Sequence, residues 1–211
     1  MTKQSRYILK FVVFTLACFS CDAADFELWT QGGVIVDITE SSRFLVTAGV
    51  RWNQNASRPH HGYGEVGILF NINDKWLVIP SYRESIVRGD TGWEPNENPR
   101  FTVIRRWDRK LVRFSNRSRF EYRSRADHFL YRNRAQIEFK LPCLEKVVPY
   151  IADEIFLDKF KNYSQNRLSC GFHTLWNDRL SGKFGYMFRW RKGQGTWTGN
   201  HVLQYYLSAH F

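Results

Sequence analysis

From residue 129 to 141 the side chains change character at every step. Phe129, Tyr131, Ala135, Ile137, Phe139 and Leu141 form one row, and Leu130, Arg132, Arg134, Gln136, Glu138 and Lys140 the other. A period of two places the rows on opposite faces of an extended strand, one apolar and one nearly all charged or amide-bearing. The pattern returns at 109–124, where Val112, Phe114, Phe120 and Tyr122 oppose Arg113, Arg117, Arg119, Glu121 and Arg123. It returns again at 179–190, where Phe184, Tyr186, Phe188 and Trp190 oppose Lys183 and Arg189. Weaker versions fall at 26–38, 42–52, 62–72, 75–87, 99–107, 147–156, 164–176 and 197–211. A helical period is scarce, so the fold is built from two-faced strands.

Most of these segments reach the roughly 9 to 11 residues a tilted strand needs to cross a bilayer. Aromatic residues make up 17% of the chain, with 8 Trp, while the mean hydropathy is only -0.46. A polar average rich in aromatics suits a membrane barrel, whose faces alternate and whose rims carry aromatic girdles. The expected fold is therefore an all-β, antiparallel transmembrane β-barrel of about 10 to 12 strands. Eleven segments are marked, but bacterial barrels normally hold an even number, which implies ten or twelve. Turns near Asn73-Asp74, Trp107-Asp108, 143–146 and Asn177-Asp178 read as short, and polar links at 53–61, 88–98, 157–163 and 191–196 as long. This asymmetry puts the first set in the periplasm and the second outside. A soluble lipocalin-like barrel or a periplasmic sandwich shares the period but not the strand length or loop asymmetry.

The first residues read as an address. Lys3, Arg6 and Lys10 form a basic region, Phe11 to Phe19 an apolar stretch, and Cys21-Asp22-Ala23 a cleavage site. About nine apolar residues are too few for a helical span, which needs about 20. Residues 1–23 are thus expected to be a cleaved signal peptide, and 24–211 one barrel domain of a Gram-negative outer membrane. Cys143 and Cys170 then remain; one sits in a Pro-Cys-Leu turn and the other mid-strand, an arrangement that favours thiols over a bridge. The last strand carries Leu203, Tyr205, Leu207 and Ala209 on the face of Phe211. Leu203, Tyr205, Leu207 and Phe211 resemble the C-terminal insertion signal of outer-membrane barrels, so the expected partners are outer-membrane lipid and the barrel-insertion machinery.

Several blocks occur in a fixed order: Asp25-Phe26-Glu27-Leu28-Trp29, then Asn116 through Arg123, Tyr131-Arg132-Asn133-Arg134, Pro149 through Phe156, and Asn166-Arg167. In these the chain resembles the predicted outer-membrane barrel family catalogued as domain of unknown function 2490. The resemblance implies fold and location and supplies no reaction, ligand or catalytic residue.

The chemistry lies in arginine. Arg113, Arg117, Arg119, Arg123, Arg132 and Arg134 are expected to form a basic patch inside the lumen, with Glu121, Glu138 and Glu154 as acidic partners. Arg83, Arg106, Arg167 and Arg189 are further candidates for that face. Guanidinium groups are planar, permanently charged forks suited to carboxylate, sulfate and phosphate. With a formal charge of +11, an open lumen points to a channel for small anionic solutes. A sealed one points to a structural or interaction barrel with an internal Arg/Glu network. An outer-membrane hydrolase would need a nucleophile and base, for which Ser124, Asp127 and His128 at one hairpin are the nearest group, and solvated turn chemistry is the plainer reading. The chain is accordingly read as no enzyme. His60-His61 in an outer loop lacks a third ligand at useful spacing, so no metal or other cofactor is expected. Export and the placement of arginine along strand faces exclude nucleic acid as a partner.

Overall fold

The computed structural model describes residues 25–158, 162–193 and 196–211. The signal peptide expected at 1–23 lies outside them, as do parts of the links at 157–163 and 191–196. The described chain forms β1 (Phe26–Asp37), β2 (Ser42–Asn53), β3 (Arg58–Asn71), β4 (Trp76–Arg88), β5 (Trp93–Asp108) and β6 (Val112–Arg123). A 3-10 turn, Ser124–Ala126, leads to β7 (His128–Phe139), β8 (Val147–Asp158), β9 (Asn162–Leu175), β10 (Leu180–Lys192) and β11 (Trp197–His210). Each strand overlies one of the segments marked by alternation, and consecutive strands pair into one closed barrel.

The expectation of ten or twelve strands is corrected. Eleven strands close the barrel, and β1 runs parallel to β11, from Phe26 opposite His201 to Ile35 opposite His210. Every other pair is antiparallel. An odd count sends the first and last strands in the same direction, and a parallel ladder still satisfies the backbone groups, at slightly lower stability per residue. Phe211 extends the seam, its N–H donating to the Ile35 carbonyl (2.9 Å) and its carbonyl accepting from Asp37 N–H (2.8 Å).

The expected contrast of long loops with short turns is also corrected. Connections 54–57, 89–92 and 124–127 at one end are as short as 38–41, 72–75 and 109–111 at the other, and the longest between described strands is 140–146. The polar residues of 53–61 and 88–98 belong to the ends of β2 and β4 and the starts of β3 and β5, where inward positions are hydrophilic. His60 and His61 accordingly sit on β3 and not in a loop.

Register puts the charged rows inside. Arg117 faces Arg134 across β6 and β7, Arg134 faces Glu154 on β8, and Glu154 faces Arg167 on β9. The alternate residues leave an apolar outer wall, with Val34, Val66, Phe101, Phe120, Ile137, Ile151, Leu168 and Leu203 all exposed. Aromatic pairs stiffen this wall across strands, such as Phe184 with Tyr205 at 4.8 Å and Phe120 with Tyr131 at 5.1 Å. The inner face is close-packed where glycine permits it. A Cβ on Gly185 would lie 2.2 Å from the Tyr150 hydroxyl, and one on Gly49 would lie 2.6 Å from the Tyr63 ring. Tyr63 thus packs against Gly49 on the adjacent β2, and Tyr150 reaches across β9 to Gly185 on β10, because those positions carry no side chain.

Candidate functional site

Charged side chains on the inner face must find partners or water, since an unpaired charge away from both is costly. The carboxylates answer this by each holding several guanidinium groups. Glu65 accepts from Arg83 Nε at 2.9 Å and Arg100 Nη1 at 3.1 Å. The other terminal nitrogen of Arg100 lies 3.0 Å from Glu121, which also meets Arg132 at 3.5 Å and Arg123 at 3.4 Å. Arg132 passes the chain on to Glu154 at 3.1 Å. Glu154 further accepts from Arg117 at 2.7 Å and Arg167 at 3.3 Å. The result is one run of alternating charge from Arg83 on β4 to Arg167 on β9. A second cluster joins Glu27 to Arg189, Asn200 and the Trp29 indole N–H, the last at 2.8 Å.

The six arginines expected to form one patch are divided. Arg117, Arg119, Arg132 and Arg134 line a chamber of about 340 Å³. Arg123 lines a second space of about 470 Å³, the vestibule, nearer the 54–57 and 124–127 turns. Arg113 lines neither; it is 42% exposed at the rim, bound to Asp108 at 3.0 Å and 3.6 Å from Glu138. Strand length separates them, because Arg113 and Arg123 stand at opposite ends of β6. Of the expected acidic partners, Glu121 and Glu154 are network hubs, whereas Glu138 lies toward the rim and accepts from Gln136 at 2.7 Å.

Chamber and vestibule share four lining residues, all arginines: Arg51, Arg83, Arg132 and Arg167. At this belt the Trp29 ring projects from β1, with the Arg51 guanidinium 3.9 Å from its centroid and that of Arg167 at 5.0 Å. Cation–π attraction of this kind is worth about 0.5–2 kcal/mol per contact and holds the indole in place.

Eight arginine or lysine side chains but only two carboxylates line the chamber. Glu65 and Glu154 are already shared among several arginines. Arg51, Arg119, Arg134 and Lys183 have no acid within ion-pair distance among the described residues. Arg119 leans on Thr102 (2.9 Å), Arg134 on Gln136 (2.7 Å), and Lys183 lies 4.2 Å from the Tyr150 ring centroid. Sequence reading passed over Glu27, Arg51, Glu65, Arg100 and Lys183 as members of this site. Each stands at an inward position; in β1 to β5 the alternation is diluted by glycine and small polar residues, so only the pairing register reveals Glu27, Arg51, Glu65 and Arg100, whereas Lys183 on β10 stands on a polar row that alternation already marked.

Ser124, Asp127 and His128 each engage partners outside their own group. The Ser124 hydroxyl accepts from Glu97 N–H (3.1 Å), Asp127 from the Tyr122 hydroxyl (2.6 Å), and His128 is held by the Ala126 carbonyl and Asp158, each at 3.0 Å. No group of three His, Cys, Asp or Glu suited to a metal occurs among the described residues. The C-terminal row of Leu203, Tyr205, Leu207 and Phe211 lies on the outer face of β11, with Leu203 and Phe211 exposed.

A family model described as protein of unknown function, DUF2490, matches residues 26–200. Among solved structures, one titled "NanC porin structure in rhombohedral crystal form" aligns with a TM-score of 0.49 and 11% identity, over 82% of this chain and 89% of that one. No curated protein matches the chain.

Proposed function

Because the chain belongs to the DUF2490 family, to which no activity is attached, we propose from the barrel's own surfaces that it spans a bacterial outer membrane and passes small anionic solutes. The outer wall supports the first half of the reading. Exposed valine, isoleucine, leucine and phenylalanine on successive strands suit hydrocarbon, and a closed barrel leaves no unpaired strand edge in it. Residues 1–23 would then direct export, and the outer face of β11 would be offered to the insertion machinery and to lipid.

One observation carries the second half: cations outnumber carboxylates eight to two around the chamber. A ring of fixed positive charge lowers the energy of an entering anion and raises that of a cation, which sets selectivity without any chemical step. The protein therefore binds and releases its solute unchanged. The belt of Arg51, Arg83, Arg132 and Arg167 is the selectivity element, because it borders both chamber and vestibule.

A non-conducting scaffold is the second reading, favoured by the unbroken ion-pair run from Arg83 to Arg167 and by the Trp29 stack. Reversal potential in a salt gradient across a planar bilayer separates the two. The folded parent should conduct with anion selectivity, and Arg119→Ser with Arg134→Ser should shift the potential toward zero. Absent or cation-selective current in the parent removes the channel reading and leaves the fold untouched.

A further inference from the structure

We infer that the chamber is a saturable binding site for small multivalent oxyanions, carrying two or more phosphate or carboxylate groups, and is more than a screened passage for single charges. The inference rests on the anion reading above but claims more. A merely selective pore needs a positive potential, whereas a binding site needs donors left over after the protein's own pairing is complete.

Such donors converge here. Arg117 and Arg134 face each other across β6 and β7, and Lys183 lies opposite both His173 on β9 and Tyr206 on β11. All five line the one chamber. Arg134 spends one terminal nitrogen on Gln136, while its buried Nε has no partner. Lys183 donates to no acceptor among the described residues and is held only against the Tyr150 ring at 4.2 Å and the Tyr206 ring at 5.7 Å. Arg119 uses Nε on Thr102, and the remaining edge of its guanidinium has no acid in reach. Arg51 lies 3.9 Å from the Trp29 ring centroid and has no acid in ion-pair reach among the described residues, so its guanidinium nitrogens are left over.

Four cations without an acid in so small a volume repel one another, so neutralising them is worth more than neutralising an isolated one. One dianion or trianion does this at the entropic cost of a single bound molecule, whereas chloride ions would each have to be confined separately. Guanidinium forks bind oxyanions through paired, charge-assisted hydrogen bonds that a spherical halide cannot match. At about 340 Å³ the chamber is at the small end of ligand pockets, which excludes polymers and large lipids.

The test is calorimetric titration of the folded, detergent-purified barrel with pyrophosphate and with citrate against a background of potassium chloride. Saturable one-to-one binding of at least one of them is expected. Lys183→Met and Arg134→Gln should each weaken it by about tenfold, the scale of one lost charge-assisted hydrogen bond. Arg113→Gln, at the rim and outside the chamber, should leave it unchanged. Heat-modifiable migration on gels verifies that each variant is folded. Failure of the parent to bind either anion overturns the inference, as does equal binding by the chamber variants and the parent. Binding without current sinks the channel reading alone; anion current without binding sinks this inference alone.

Discussion

Replacing Glu154 by Gln probes the lumen network at its densest point. The carboxylate is only 7% exposed and is shared by Arg117 at 2.7 Å, Arg132 at 3.1 Å and Arg167 at 3.3 Å. At an effective dielectric of about 20, unit charges about 3 Å apart attract by roughly 5–6 kcal/mol before desolvation is deducted. Removing one member of a buried pair costs about 3–5 kcal/mol, because the partner stays charged and enclosed. The adjoining chamber lets water reach part of the orphaned charge, so the lower end, about 3 kcal/mol, is expected for Glu154→Gln. The assay is urea unfolding in lipid vesicles followed by tryptophan fluorescence, with an unchanged slope confirming that the same surface unfolds. Arg117 supplies the internal check, since its only acid among the described residues is Glu154. Arg117→Gln should destabilise the parent but be neutral or stabilising once Glu154 is Gln, because it then removes a surplus cation. A double-mutant cycle reads this coupling directly. A loss under about 1 kcal/mol for Glu154→Gln, or an equal cost of Arg117→Gln in both backgrounds, would refute the network argument.

Deleting Phe211 removes two backbone hydrogen bonds to β1 at the parallel seam; at about 1 kcal/mol each, the heat-modifiable, assembled fraction should fall. Asp90→Ser, in the β4–β5 turn, should leave that fraction unchanged. Gly185→Ala would put a methyl 2.2 Å from the Tyr150 hydroxyl and 3.2 Å from the Cys170 carbonyl. Overpacking of this kind costs about 1–3 kcal/mol, measured as an earlier urea midpoint, and a Tyr150→Ala background should remove the steric part of the penalty.

Local sequence determined the strands and their faces. In 112–123 and 128–139 each inward position is polar or charged and each outward one mostly apolar, with Leu130 the buried inward exception. A period of two converts that order into a sidedness that no tertiary contact can reverse without moving every side chain to the wrong face. The eleven segments, the family blocks and the inward position of Arg117, Arg119, Arg132 and Arg134 were legible for this reason. Closure was decided elsewhere. Nothing local in Phe26–Asp37 or Trp197–His210 distinguishes a parallel seam from an antiparallel one; that follows from how many strands the curved sheet needs to meet itself. Connection length was misread because a polar residue at a strand end looks like a loop residue until the register shows it facing the lumen, as with His61 and Asn96. The site itself is tertiary. Glu27 reaches Arg189 across 162 positions of sequence and Glu65 reaches Arg100 across 35. Which arginines meet a carboxylate, and which have none in reach, depends on distances across the bore that only the closed cylinder sets.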